Sequence, residues 1–179
     1  MLFIDTNPSF SIYTQIALAT ATDVVLPVMP DDSSRRAIQN AFSLIYGINL
    51  PSAIYAQYSF TNKLVAANRS LPKVSLVVKN RLTQYMGPAS AYSYVLSSID
   101  ALLTALLSAN PSIFTFQTLA DGVADVRDFQ TTGVVAFAEG VPFSRLRSGR
   151  HTIQGQEVQV DQHNIDNCIE AIAGVVAKL

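Results

Sequence analysis

Apolar residues in this chain fall into short runs separated by helical stripes. Leu2-Phe3-Ile4 is an apolar run closed by Asp5, and residues 23–29 form a second, closed by Pro30. Val74-Ser75-Leu76-Val77-Val78 and Ile113-Phe114-Thr115-Phe116 are a third and a fourth. Continuous short runs of this kind predict buried parallel strands. Between them, Ile12, Ile16 and Ala19 predict a helix within residues 9–22. Ala37, Ile38, Ala41, Phe42 and Ile45 give the next helical stripe, opened by Asp31-Asp32-Ser33-Ser34 and stopped by Gly47. Residues 60–69 read as a short helix. Val95, Ile99, Leu102, Leu103 and Leu106 read as a longer one, opened by Pro88 and closed near Asn110-Pro111. Residues 128–139 are helical despite Gly133, and Gly140-Val141-Pro142 ends them. Ile153, Val158 and Val160 flank Gly155 as in a hairpin. Ile165, Cys168, Ile169, Ile172, Val176 and Leu179 share one stripe of a last helix.

Strands alternating with helices predict one α/β domain over residues 1–179, a doubly wound, mostly parallel sheet with helices on both faces. A chain that opens inside a core strand is expected to be part of a larger domain, since free termini normally lie in exposed segments.

Composition narrows the class. Of 179 residues, 49% are hydrophobic, enough to bury a core and to exclude a disordered chain. Only 14% are charged, against about 25% in typical domains, so some apolar surface is expected to be covered by a partner or by further chain. A net charge of −1 excludes a globally basic nucleic-acid binder and leaves room only for a local patch. One cysteine, Cys168, excludes an intrachain disulfide and a cysteine-based zinc site. A mean hydropathy of +0.27 raises the question of a membrane span. The uncharged stretch over residues 101–120 is broken at Asn110-Pro111, so no span is expected there. No basic segment precedes the first apolar run, so no signal peptide is expected, and a cytoplasmic location fits.

Ligands of open α/β sheets bind at the carboxyl ends of the strands. Those ends offer Asp5-Thr6-Asn7, Met29-Pro30-Asp31, Asn80-Arg81 and Thr118-Leu119-Ala120-Asp121. An acid at the end of a dry strand, as Asp5 is, suits a Mg²⁺ ion held through water beside phosphates; a helix cap is the competing role. Arg145, Arg147, Arg150 and His151 lie close together, either for non-specific contact with DNA phosphates or as a solvated basic loop. His151 and His163 are too isolated for a metal pair and are expected on the surface. Cys168 is expected in the core, and Tyr85, Tyr92 and Tyr94 in helix packing.

The run from Leu2 through Leu18, followed by Ala21-Thr22-Asp23-Val24-Val25-Leu26-Pro27-Val28, resembles the ParA/MinD family of partitioning ATPases. In that family an apolar strand ends in Asp, a Pro-containing switch follows, then a Thr-x-x-Ala-Leu helix and an Ala-x-Asp-x-apolar-apolar-Pro strand. Val77-Val78-Lys79-Asn80-Arg81 and Gly140-Val141-Pro142 resemble its later motifs. The resemblance runs over nearly the whole chain and is most specific in residues 2–34. It implies a P-loop-like fold, with ATP and Mg²⁺ as cofactors and Asp5 in the metal shell. Asn7 and Pro8 would form the switch. Asn80 would contact adenine with Arg81 beside it, or cap a turn, and Asp121 would lie on the same rim. It further implies an ATP-switched homodimer that binds DNA and responds to a DNA-bound adaptor protein. The family's Lys-Gly-Gly-x-Gly-Lys-Thr loop is absent, and the eight glycines are scattered. The sequence therefore resembles the C-terminal part of such a domain, and ATP hydrolysis by this chain alone is not expected. The competing class is a non-catalytic interaction module on the same fold.

Overall fold

The computed structural model describes residues 2–6, 9–50, 52–82 and 91–179. In chain order its elements are α1 (Ile12–Thr20), β1 (Asp23–Val28), α2 (Asp32–Tyr46), α3 (Ala53–Gln57), α4 (Phe60–Ala66), β2 (Lys73–Leu82), α5 (Ala91–Ala109), α6 (Leu119–Gly122), β3 (Val123–Arg127), α7 (Gln130–Glu139), β4 (Gly149–Ile153), β5 (Gln156–Val160) and α8 (Gln162–Val176). Single 3-10 turns lie at Pro111–Ile113 and Phe143–Arg145.

The helix limits follow from local chemistry. Asp31 accepts the Ser34 N–H at 2.6 Å, and the Ser34 hydroxyl accepts the Met29 N–H at 2.9 Å. These contacts satisfy donors that the first turn of α2 and the strand before it would otherwise leave open. Gly47 takes φ +71° and closes α2 through its N–H to the Ser43 carbonyl at 3.0 Å, a left-handed cap that glycine adopts without a Cβ penalty.

The sheet is α/β in character: three parallel strands in the order β1-β2-β3, with helices packed against them. Val74 and Val77 of β2 are fully buried beside Ile38 and Phe42 of α2, Leu64 of α4, and Ile99 and Leu103 of α5. A second cluster joins Val135 and Ala136 of α7, Leu146, Val160 of β5 and Ile165 of α8. The antiparallel β4–β5 hairpin belongs to this second cluster.

Two expected strands are corrected. Leu2-Phe3-Ile4 forms no strand, and its side chains are 86%, 68% and 50% exposed. An apolar run becomes a strand only where a neighbour takes its N–H and C=O groups, and no described strand flanks residues 2–6. Ile113-Phe114-Thr115-Phe116 is also not a strand. Its one sheet contact is a parallel bridge from Phe114 to Val74, with the Thr115 N–H donating to the Val74 carbonyl at 3.0 Å. Phe114 and Phe116 instead enter an aromatic stack with Phe42. The third strand is Val123–Arg127, where Ala124 and Val126 are buried and Asp125 is exposed, the period of a half-buried strand.

Among the described residues, Tyr92–Ala109 of α5 is long and apolar enough to cross a membrane by length and composition. It ends at the Asn110-Pro111 break and begins upstream of the stretch read from sequence. In the structure its Ile99 and Leu103 are fully buried in the first core cluster, and its Asp100 pairs with Lys79. Tyr92 and Tyr94 at its start are exposed rather than packed, and Tyr85 and Pro88 lie outside the described residues.

Candidate functional site

At the carboxyl ends of β2 and β3 the chain leaves a cleft of about 790 Å³. Asn80 and Arg81 line it from β2, Asp128 to Gln130 from the turn after β3, Gly133, Val134, Phe137 and Ala138 from α7, and Thr152 to Gln154 from the hairpin.

The β2 wall is a bulge. Lys79 pairs with Asp125 and Leu82 with Arg127, so Asn80 and Arg81 together oppose Val126. Such bulges bend a strand and re-aim its side chains. Arg81 sits at φ +60°, and its N–H donates to Asn80 Oδ1 at 2.8 Å. The Asn80 oxygen is thus engaged within the bulge. It keeps a second lone pair and its NH₂ group for a ligand.

Two more left-handed residues line the same cleft, Gln130 at φ +45° and Gln154 at φ +51°. The Gln130 N–H donates to Asp128 Oδ1 at 3.0 Å. Gln154 is followed by Gly155 at φ +81°, the pair that makes the two-residue hairpin turn. Left-handed backbone at non-glycine residues costs free energy and gathers where surrounding structure enforces it. Three of the five such residues described in this chain meet in this one cleft.

The α7 wall is apolar. Val134 and Phe137 lie three residues apart on one face, and Phe137 is 91% exposed. Phe129 stacks edge-on against Phe143 with ring centroids 4.9 Å apart, which ties the α7 entry to the turn before the hairpin. Gly133 permits this, because a Cβ there would lie 2.9 Å from the Phe129 Cβ. The cleft therefore presents a flat aromatic surface, an amide, one cation at Arg81 and one anion at Asp128. It can hold a planar polar ring between an apolar wall and hydrogen-bonding groups.

The remaining candidates lie elsewhere. Asp5 is exposed in the unpaired segment of residues 2–6 and does not line the cleft. Asn7 and Pro8 fall outside the described residues. Asp121 precedes β3 rather than following a strand, which places it at the amino end of the sheet, opposite the cleft. There it accepts the Thr118 hydroxyl at 2.7 Å and belongs to the cap of α6. Arg145, Arg147 and Arg150 are exposed on the hairpin and the turn before it, with Arg150 lying 3.8 Å from Glu157. Cys168 is buried, as expected, and burial raises its thiol pKa.

Sequence reasoning missed two features. Lys79 reads as a strand-end cation, yet it is 8% exposed and bonds both Asp100 carboxylate oxygens, at 2.7 and 2.8 Å. The pair borders a second cavity of about 580 Å³, beside Glu170 and Lys178. His151 was expected on the surface, but its side chain is only 11% exposed and both ring nitrogens meet oxygen acceptors. Its partner Glu139 is twelve residues away and gave no local signal.

Among the described residues, no group of three or more His, Cys, Asp or Glu side chains is placed to hold a metal ion. Compared with known proteins, the chain matches no family model, no curated protein and no solved structure.

Proposed function

We propose that this chain forms part of a doubly wound, ParA-like nucleotide-binding domain, and that the cleft beside Asn80 is its base-binding end. The observation that carries the reading is the strained Asn80-Arg81 bulge near the carboxyl end of a central parallel strand, lining the same cleft as the exposed Phe137. A purine is planar, stacks on an aromatic wall, and offers donor and acceptor edges to a carboxamide. In this reading the complete protein is a cytoplasmic, ATP-switched homodimer that contacts DNA through Arg145, Arg147 and Arg150 and answers to a DNA-bound adaptor.

The described residues do not fit the phosphate and Mg²⁺ end of such a site. Asp5 stands alone and exposed, and no metal-holding cluster accompanies it. A second reading, a non-catalytic interaction module, is favoured by the exposed apolar side chains of Ile169, Ile172 and Val176 along α8.

Amide-resolved NMR titration with adenosine separates the two. Saturable shifts confined to Asn80, Arg81, Gln130 and Gln154, weakened by Phe137→Ala, are expected. ATP with Mg²⁺ is expected to bind this chain no more tightly than adenosine does, because no phosphate cradle adds contacts. Absence of adenosine shifts, or equal shifts far from the cleft, would reject the base-site reading in favour of the interaction module.

A further inference from the structure

His151 lies on β4, in the hairpin that supplies the Thr152–Gln154 wall of the cleft. Its Nδ1 is 2.5 Å from Glu139 Oε1, at the carboxyl end of α7, and its Nε2 is 2.8 Å from the Arg147 carbonyl oxygen. Neither oxygen has a hydrogen to give when Glu139 is ionised. A neutral imidazole has one N–H, so it satisfies one contact and turns a lone pair toward the other oxygen. Only the imidazolium donates to both. A proton shared within this pair rests on the ring rather than on Glu139, since a free imidazole is the stronger base by about two pH units.

The surroundings leave Glu139 as the charged group in contact with the ring. Arg145 and Arg147 in the preceding turn have exposed side chains. Arg150, next to His151 in β4, and Glu157, paired with Thr152, lie on the other face of the hairpin, 3.8 Å from each other. The residue paired with His151 across the hairpin is the uncharged Val158.

We infer that His151 is a pH-governed latch: as the imidazolium it ties the β4–β5 hairpin to the end of α7 and to the Arg147 turn, and on losing a proton it must release one of them. The hairpin and α7 are two walls of the same cleft, so the latch sets how firmly that cleft is held. The inference goes beyond the nucleotide reading and does not depend on what the cleft binds. The Glu139 contact and the Arg147 carbonyl both raise the imidazole above its ordinary value, which agrees with the geometry. With the folded pKa raised, the latch contribution is complete below the unfolded value of about 6.5 and is lost as pH climbs through the raised value.

The test follows the His151 ring by NMR from about pH 5 to 9, the span in which imidazoles titrate. Hydrogen-exchange protection of the β4–β5 amides is measured on the same samples, with His163 as the reference ring and the α5 amides as the reference helix. The expected result is a His151 midpoint above the ordinary imidazole value, moving down in Glu139→Gln. Hairpin protection should fall across the parent midpoint while α5 protection holds. His151→Gln, which titrates nowhere in this range, should abolish that pH-linked loss, and it serves alone if Glu139→Gln does not fold. An ordinary midpoint in the parent, or hairpin protection that ignores the His151 titration, would overturn the latch.

Discussion

At Gly122 a single hydrogen atom decides the packing. A Cβ built there would fall 2.2 Å from three atoms of the Phe116 ring. That ring is one of a chain of aromatics, with centroids 5.1 Å from Phe114 to Phe116 and 5.6 Å from Phe42 to Phe114. Phe116 cannot yield without disturbing Phe114, which is 4% exposed in the core beneath the sheet. Gly122→Ala should therefore cost about 1–3 kcal/mol, the usual range for overpacking a close-fitted core. Gly174 is the contrast: it lies within α8 and a Cβ there meets nothing within 4 Å. Gly174→Ala should stabilise by up to about 1 kcal/mol, the helix-propensity difference between the two residues. Urea unfolding of both variants checks the pair, and equal effects would show that the Phe116 contact is wrongly placed. None of this is legible in the sequence. Glycines there announce turns and phosphate loops, whereas the need at Gly122 arises only once a turn folds Phe116 back over it.

At the scale of the element, the legible features are those whose cause is local. The Asp31 and Gly47 limits of α2 could be read because a cap and its helix are adjacent in the chain. The Gly155 turn and the stripe of α8 were legible for the same reason. The third strand was not. Ile113-Phe114-Thr115-Phe116 is the more apolar run, but Pro111 opens a 3-10 turn ahead of it and its two phenylalanines serve the core. Val123–Arg127, with charges at alternate positions, takes most of the β2 edge instead. Tertiary packing thus overrode local apolarity. The same reversal carried Asp121 from the expected carboxyl rim to the opposite end of the sheet. Asn80 and Arg81 stay near the carboxyl end of β2, although the strand runs on through them to Leu82 instead of ending before them. The cap at α2 yields a test at this scale. Hydrogen bonds from the Ser33 hydroxyl and the Ser34 N–H hold the Asp31 carboxyl below its ordinary range. Asp31→Ala should cost about 1 kcal/mol near neutral pH, the typical value of an N-cap. A depressed folded pKa means that this contribution is present above the ordinary carboxylate value and is lost as pH falls through the depressed one. The stability gap between parent and variant should therefore close in acid. A gap that persists there would assign the effect to helix propensity rather than to the charged cap.

The outer edges of β1 and of β3 both pair with no described strand, and the apolar β1 side governs the behaviour of the whole molecule. β2 is paired on both edges, by β1 and by β3, but no described strand pairs with the outer edge of β1. Val24, Val25 and Leu26 there are half-buried rather than enclosed. Leu2, Phe3 and Ile4 are exposed, and Ile12, Tyr13 and Ile16 of α1 are 62%, 80% and 55% exposed. An apolar strand edge with unpaired N–H and C=O groups recruits further chain. Charge does little to oppose this, since only 14% of residues are charged and the net charge is −1. The low charge content and the apolar run at residues 2–4 were the traces of this surface in the sequence; the exposure of Ile12, Tyr13 and Ile16 was not. The chain should therefore self-associate at micromolar concentration. Light scattering should report a mass above that of one chain, rising with concentration. Replacing both Leu2 and Phe3 by Lys should return it to a monomer. The thermal midpoint should hardly change, because exposed side chains contribute little to the fold. A parent that stays monomeric over the same concentrations would show that the β1 edge and the exposed apolar residues do not recruit a second chain. Association that survives the double substitution would move the interface away from residues 2 and 3, with the exposed Ile172 and Val176 of α8 as the next positions to charge.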